Sequence, residues 1–394
     1  MPMPDAYILS ACRTPIGKFR GSLSSLAATE LGAVAVSEAV ARAGAEAREI
    51  DEVILGNVLT AGAGQAPARQ AALRADLPPT VAALTVNKVC GSGLKAVMLA
   101  AQGVRCGDVD LVVAGGMESM SQAGWVLPRD APPLGNRPLV DSLMQDGLTC
   151  PFTGQSMGQI ADRLAEQAGI SRDEQDRCAL ESHRRAVHAA ESGAFAAEIV
   201  GVPVARGSDE TLVSRDEGPR SDTTLEKLAK LKPSFRAGGT VTAGNSSMIS
   251  DGAAAVVVGS ESVAASSGRR PLARIVASVT SGGEPLDVFT TPVEAIRRVL
   301  AKAKRSLEEI DLFEINEAFA VQMLACMRAL RLPADRVNVH GGAIALGHPI
   351  GASGARVLVT LLSALHEREG RLGVAALCLG GGNAVAMLVE REQP

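Results

Sequence analysis

Val86-Asn87-Lys88-Val89-Cys90-Gly91-Ser92-Gly93-Leu94-Lys95-Ala96-Val97 is the stretch around which the chain is organised. An apolar run, residues 81–86, leads into it and reads as a strand. A cysteine follows, then Gly-x-Gly, then an Ala/Val/Leu-rich helical pattern over 94–105. Cys90 is therefore expected where a strand turns into a helix N-terminus, among unpaired N–H groups and at the positive end of the helix dipole. A free cysteine has a pKa of about 8.5, and such a setting lowers it, raising the thiolate fraction. Gly91 and Gly93 keep bulk away from the sulfur and let a carbonyl approach backbone N–H groups. This is how a nucleophilic cysteine would be placed. The plainer reading is a buried cysteine beside a Gly-rich turn, since free Cys is usually a small core residue.

Outward from this corner, strands alternate with helices. Strands are expected at 7–11, 50–59, 81–86 and 109–114, and helices at 26–43, 67–75 and 94–105. The strand at 109–114 is apolar throughout and ends at Gly115-Gly116-Met117-Glu118. Such strands predict a buried, mostly parallel sheet in an α/β fold. From Ser119 to Ser250 the alternation lapses. Pro128, Pro132, Pro133 and Pro138 mark an irregular excursion. Two helices follow, the second opened by a capping box, Ser171-Arg172-Asp173-Glu174. A short helix is expected near Thr223, with Glu226 three residues on. The apolar strand 253–258 then returns to the sheet.

From Pro271 the first pattern starts again. A strand is expected at 273–279, and Thr291-Pro292-Val293-Glu294 caps a helix with Pro at its first position. Ile310-Asp311 repeats Ile50-Asp51, Val337-Asn338 repeats Val86-Asn87, and Ser353-Gly354 opens a long apolar helix as Ser92-Gly93 does. Residues 374–379 and Gly380-Gly381-Gly382-Asn383 repeat 109–117. The offset stays at roughly 260 residues, and this is an internal duplication of roughly 120 residues, far longer than a solenoid repeat. Two α/β halves with one site where they meet are expected.

Composition excludes several classes. A chain of 394 residues is too long for one ordinary core. Aromatic residues make up only 2%, so Ala, Val, Leu and Ile must fill the core. The net charge is −4 without a long basic run, which argues against nucleic acid. No uninterrupted apolar run reaches about 18 residues, so no membrane span is expected. The N-terminus lacks a basic segment followed by an apolar one, so no secretory signal is read there. The cysteines, Cys12, Cys90, Cys106, Cys150, Cys178, Cys326 and Cys378, are odd in number and form no C-x-x-C pair. A disulfide framework and a zinc site are poor readings, and reduced cytoplasmic thiols fit better. Cys12, Cys106, Cys178 and Cys326 are read as packing. Cys150 falls in a loop without an assigned role.

Three further residues join Cys90. Asn316 follows the strand 312–315 and opens Asn316-Glu317-Ala318-Phe319-Ala320; its plain reading is a helix N-cap. His348 stands among five glycines in Gly341-Gly342-Ala343-Ile344-Ala345-Leu346-Gly347-His348-Pro349-Ile350-Gly351-Ala352-Ser353-Gly354, a constrained loop of the kind that carries sites. Cys378 ends an apolar strand before Gly380-Gly381-Gly382, where the plain reading is a core cysteine at a hairpin. A cysteine nucleophile needs a base, and His348 can serve. A second cysteine offers a proton donor or acceptor. Asn316 can hold a water or donate to a developing oxyanion. Two cysteines in distinct roles suggest thioester chemistry that also makes or breaks a C–C bond.

These residues resemble the thiolase family, the acetyl-CoA acetyltransferases and 3-ketoacyl-CoA thiolases. The likeness runs from Arg13-Thr14-Pro15-Ile16-Gly17 to the C-terminal Gly-rich hairpin. Asn87-Lys88-Val89-Cys90-Gly91-Ser92-Gly93 looks like the acyl-cysteine motif. Asn316-Glu317-Ala318-Phe319-Ala320, Gly347-His348-Pro349 and Cys378-Leu379-Gly380-Gly381-Gly382 look like the other three site motifs.

The resemblance implies a thiolase-like α/β fold of two duplicated halves in α-β-α-β-α layers, with an inserted helical loop domain. The halves would be 1–118 with 250–268, and 269–394; the loop domain, 119–249, would grip coenzyme A. It implies that Cys90 carries the acyl group, that His348 activates it, and that His348 with a water held by Asn316 forms one oxyanion hole. Backbone N–H groups of Cys90 and Gly380 would form the other, and Cys378 would move the α-proton. Arg220 matches a position near the nucleotide, Ser247 one near the pantetheine, and Met157 a substrate contact. Kinetics would be ping-pong, with no metal and no cofactor beyond coenzyme A as substrate, in dimers or dimers of dimers. Two rivals are a ketoacyl synthase-like enzyme, which the Cys378 position opposes, and a silent lipid-binding or scaffold relative, which would be expected to lack a site residue. Short-chain members usually carry His before Met-Gly in the loop domain, where this chain has Ser156. Met248 replaces a small residue. Both put the acyl length in question.

Overall fold

The computed structural model describes residues 4–129, 134–207, 209–266 and 270–392. Pro132, Pro133 and the proposed boundary at 268/269 lie outside them.

In chain order the elements are β1 (Ala6–Arg13), β2 (Gly17–Lys18), α1 (Ala28–Arg42), β3 (Glu52–Gly56), α2 (Pro67–Arg74), β4 (Ala82–Val86), α3 (Ser92–Cys106) and β5 (Leu111–Ser119). Next come β6 (Trp125–Val126), β7 (Val140–Asp141), α4 (Met157–Ala168), α5 (Arg172–Ser192), β8 (Val202–Arg206), β9 (Asp209–Val213) and α6 (Leu225–Ala229). Then β10 (Ser250–Ser260), α7 (Glu261–Ser266), β11 (Ala273–Gly282), α8 (Thr291–Ala303), β12 (Leu312–Ile315) and α9 (Ala320–Leu330) follow. The chain closes with α10 (Ala343–Leu346), α11 (Ser353–Glu367), β13 (Leu372–Leu379) and β14 (Asn383–Arg391).

The duplication is visible in the sheet. The strand order is β12-β13-β14-β11-β1-β10-β5-β3-β4, and the two halves join where Tyr7 and Ile8 of β1 pair with Arg274 and Ala273 of β11. From that seam the order reads alike in both directions, because β10, β5 and β3 answer to β14, β13 and β12. Even β4 has its counterpart, a parallel bridge between Phe313 and Val337. The Ile-Asp repeat has a matching job in each half. Asp51 accepts from the N–H groups of Asp110 and Leu111, and Asp311 accepts from those of Arg371 and Leu372, each at 2.8–2.9 Å. Helices α3 and α11 pack against each other between the two half-sheets, with α1 and α2 outside one half and α8 outside the other. This is the α-β-α-β-α layering.

The sheet is not mostly parallel. Among the strand pairs of the described residues, β3–β4, β3–β5 and β12–β13 are parallel, while β1–β10, β1–β11, β5–β10, β11–β14 and β13–β14 are antiparallel. The uniformly apolar sequences of β5, β10 and β13 misled because helices cover both faces of the sheet. Burial on both faces, rather than strand direction, makes a strand apolar throughout.

Local signals held unevenly. Ser171 caps α5 by accepting from Glu174 N–H, with Glu174 returning the bond. Thr224, not Thr223, caps α6 by accepting from Lys227 N–H. Thr291 is the first residue of α8 and its hydroxyl donates to Val288 and Asn383 carbonyls, so Pro292 sits second. The antiparallel pair β8–β9 is an addition to the elements expected from the sequence. Cys12 and Cys326 are buried as packing residues, but Cys106, on the last turn of α3, is exposed. Cys150 is buried in a turn closed by Gly154 N–H on its carbonyl.

Candidate active site

The nucleophile corner forms as expected, with Gly91 preceding the first residue of α3. Its backbone is strained in a way the sequence did not announce. Val89, a β-branched residue, has φ of 46°, a conformation such residues rarely adopt and one typical of functional turns. Neighbours hold it there. Asn87 Oδ1 accepts from Val89 N–H at 3.0 Å, and Ser92 Oγ accepts from Lys88 N–H and donates to the Val89 carbonyl. The turn thrusts Cys90 toward a cavity of about 650 Å³. Gly91 makes room, since a Cβ there would lie 2.4 Å from Leu379 Cδ2.

One cavity gathers Cys90, His348, Cys378 and Gly380, and also Ser247, Met157 and Arg220. Asn316 is not in its wall. It is fully buried just past β12, with its N–H on the Ala376 carbonyl of the adjoining β13, two residues before Cys378. It caps no helix, for α9 begins at Ala320 after Phe319. Both side-chain amide atoms of Asn316 lack a hydrogen-bond partner among the described residues. Buried amides are nearly always satisfied, so this side chain is suited to a water or a ligand atom.

His348 is fixed from behind. Its Nδ1 lies 2.6 Å from Ser353 Oγ, which lies 2.8 Å from the Pro349 carbonyl. The hydroxyl has one proton and the carbonyl can only accept, so Ser353 donates to Pro349 and Nδ1–H donates to Ser353. That leaves Nε2 with a free lone pair, the tautomer a base needs. Burial, assisted by the Arg356 guanidinium, pushes the imidazole pKa down to about 3.

Cys90 departs from the expectation of a lowered pKa. It is only half-buried by surface because it opens into the cavity, but protein atoms surround it on the other sides. This desolvation pushes the thiol up to about 11, against backbone N–H groups of Gly380 and Cys90 directed at the sulfur. The helix end helps less than burial hurts. Cys378, at the end of β13, is raised well above the usual thiol range by burial and by its neighbour Cys90. At neutral pH the resting site therefore holds two thiols and a neutral imidazole.

The flanking segments are pinned to the second half. Ser247 N–H bonds to the Ala318 carbonyl and Ala320 N–H to the Asn245 carbonyl. Arg220 N–H bonds to His183 Nδ1 at 3.3 Å. Ser156 lines the cavity but spends its hydroxyl as N-cap of α4, on Gln159. Sequence reasoning missed Val89, Ser353, His183 and the apolar wall of Met120, Met144 and Ile350. Ser353 could have been found, since it stands at the mouth of a helix five residues after the histidine. Among the described residues no cluster of three or more metal-binding side chains occurs.

A cavity lined by two cysteines and a histidine, at the seam of two duplicated α/β halves, is a setting that suits acyl transfer, and the comparisons narrow the class. Residues 6–262 match the model described as Thiolase, N-terminal domain, and 269–391 that described as Thiolase, C-terminal domain. The chain belongs to the thiolase family. It is 51% identical over 393 residues to an acetyl-CoA acetyltransferase of Pseudomonas aeruginosa, covering 99% of this chain and 100% of the relative. An Escherichia coli acetyl-CoA acetyltransferase is 50% identical over 392 residues, again 99% and 100% of the two chains. The Bacillus anthracis acetyl-CoA acetyltransferase crystal structure matches with a TM-score of 0.97 at 43% identity, over 99% of this chain and 100% of that one. An Ascaris suum thiolase solved in complex with coenzyme A matches with a TM-score of 0.93 at 43% identity, over 98% and 100%.

Proposed function

We propose that this thiolase is an acetyl-CoA C-acetyltransferase and 3-ketoacyl-CoA thiolase working through acyl-Cys90. The observation that carries the reading is the single cavity lined by Cys90, His348, Cys378 and Gly380. In thiolysis, Cys90 loses its proton to His348 Nε2 as its sulfur attacks the ketone carbon of a 3-ketoacyl-CoA. The alkoxide is met by His348 and a water held by Asn316. The C2–C3 bond then breaks, and the electron pair left on C2 takes the Cys378 proton, releasing acetyl-CoA. Coenzyme A attacks acyl-Cys90, Gly380 and Cys90 N–H groups bear the second oxyanion, and its thiol proton restores the resting site. Condensation runs these steps backward.

The segment 119–249 is proposed as the domain that grips coenzyme A, with Arg220 toward the nucleotide, Ser247 along the pantetheine and Met157 at the acyl end. Coenzyme A as substrate is the one non-protein group the mechanism uses, and acyl-CoA and coenzyme A are the partners. A cytoplasmic setting fits the free thiols, and no helix of the described residues is long and apolar enough to cross a membrane. A homo-oligomer is proposed because β4 pairs only with β3 among the described residues, and Leu84 on it is exposed. A naked strand edge of this kind invites a partner strand. Light scattering is expected to give a dimer or a dimer of dimers, and a monomer at micromolar concentration would count against it.

The acyl chain accepted is proposed to extend beyond acetoacetyl. Ser156 is engaged with Gln159 rather than free for a short thioester, and flexible Met120 and Met144 line the inner wall. The test follows loss of 3-ketoacyl-CoA enolate absorbance with coenzyme A across C4 to C12 substrates. Turnover at C4 and at longer chains is expected. A sharp optimum at C4 with little beyond would sink the chain-length proposal, and no turnover at any length would return the chain to the silent class.

A further inference from the structure

Glu118, the last residue but one of β5, lies outside the cavity wall, fully buried, and was given no role by the sequence. Its carboxylate takes four hydrogen bonds. Three come from the first half: Asn57 Nδ2 at 2.6 Å, Val58 N–H at 3.0 Å and Leu59 N–H at 3.2 Å. The fourth comes across the seam, from Gly351 N–H at 2.9 Å. Gly351 stands three residues after His348 and two before Ser353, which orients the imidazole. Every partner is a donor, which favours the charged carboxylate, against burial that pushes its pKa up to about 7. The loop is pressed hard against this anchor. A Cβ on Gly351 would lie 2.7 Å from Glu118 Oε2, and one on Gly116 would lie 2.1 Å from the Gly351 carbonyl oxygen.

The nucleophile and its base come from opposite halves of a duplicated chain. Nothing in either half alone fixes the distance between them. We infer that Glu118 is the positioning residue that sets it, by clamping the His348 loop of the second half onto the 57–59 turn of the first. A second buried carboxylate holds the other end of the loop. Glu317 accepts from Ile344 N–H at 3.3 Å and from Ser182 Oγ at 2.6 Å. That contact lies within the second half and inserted segment, so it steadies the loop without registering it against Cys90. Glu118 reaches from β5, on the Cys90 side, to the Gly351 end of the histidine loop, while His348 N–H is held by the Met248 carbonyl at 2.9 Å and Ser250 Oγ at 3.3 Å, at the start of β10.

The inference rests on the acyl-Cys90 reading, and its test separates the two. Wild-type thiolysis is measured first; its absence would sink that reading before any variant is made. Glu118→Gln keeps the shape but sets an NH₂ against N–H donors, and Glu118→Asp keeps the charge but withdraws it from Gly351. With wild type active, each variant is expected to lower kcat by about 10–10², the usual cost of misplacing reacting groups by about an ångström. KM for coenzyme A should change less than about threefold, because Arg220 and Ser247 lie on other segments. Iodoacetamide alkylation of Cys90 should slow in step with kcat, a readout that a purely stabilising residue would not move. Unchanged kcat and alkylation in either folded variant would overturn the inference, whatever the melting temperature. Failure of both variants to fold would overturn it too, since Glu118 would then hold the fold rather than the alignment.

Discussion

Cys90→Ala is expected to abolish acyl-enzyme formation and to lower thiolysis by on the order of 10⁴–10⁶, the scale seen when an enzyme loses its covalent nucleophile. Intact mass spectrometry after incubation with acetyl-CoA should show an added acetyl group on the wild type and none on the variant. An acetylated Cys90→Ala chain would mean that another residue, with Cys378 the nearest candidate, is the carrier. The ionisation of the wild-type nucleophile gives a companion expectation. With the thiol pushed up to about 11 and the imidazole down to about 3, the pair is neutral between these values. Below the imidazole value protonation removes the base, and above the thiol value the sulfur ionises by itself. Because the thiolate is the reacting form, iodoacetamide alkylation of Cys90 should keep rising, about tenfold per pH unit, from about pH 5 to about pH 9, instead of levelling off above the free-cysteine range near 8.5. A rate that has already reached a plateau near neutral pH would show that a thiolate–imidazolium pair rests in the site, and a plateau setting in near 8.5 would show an ordinary free thiol.

Cys378→Ala is expected to separate the two half-reactions. The variant retains Cys90, His348 and the N–H groups directed at the sulfur, so acetyl-CoA should still acylate it, releasing about one equivalent of coenzyme A. It lacks the thiol proposed to protonate the departing carbanion, whose thiolate would remove the α-proton in the other direction. Thiolysis and condensation should both fall by about 10²–10⁴, the range for losing a general acid or base. The structure gives the reason for a thiol here. Burial and the adjacent Cys90 keep Cys378 protonated at rest, so it is ready as an acid. Near-normal thiolysis by Cys378→Ala would remove the acid/base assignment while leaving the acyl-Cys90 role intact.

Much of the molecule is legible in the order of residues. The alternation of elements, the repeat of Ile50-Asp51 at Ile310-Asp311 and the helix-opening Ser-Gly pairs are local patterns, and each local pattern produced its element. Cys90, His348, Cys378, Ser247, Met157, Arg220 and Gly380 were all singled out in sequence and share one cavity. Asn316 was singled out too, but its N-cap reading failed and it lies behind the wall with its amide unpartnered. The repeat also foretold that nucleophile and histidine would come from different halves.

What the sequence could not carry are properties that depend on contacts between distant segments. Strand direction in the sheet was misread, because an apolar run records that both faces are covered and not which way its neighbour runs. The charge state of the site was misread as well. A helix N-terminus beside Cys90 is a local feature and favours thiolate, while burial by the 344–351 loop and by β13 is a tertiary one and favours thiol; burial wins because desolvation acts on the whole charge and the helix end supplies only a partial one. The proton on His348 Nδ1 follows from Ser353 and Pro349, and the seam between the halves closes on Glu118. Sequence alone determined two similar halves and a reactive cysteine at the corner of one. The tertiary structure decided that this cysteine rests as a neutral thiol beside a neutral base, because only the docked halves exclude the water that would have stabilised its charge.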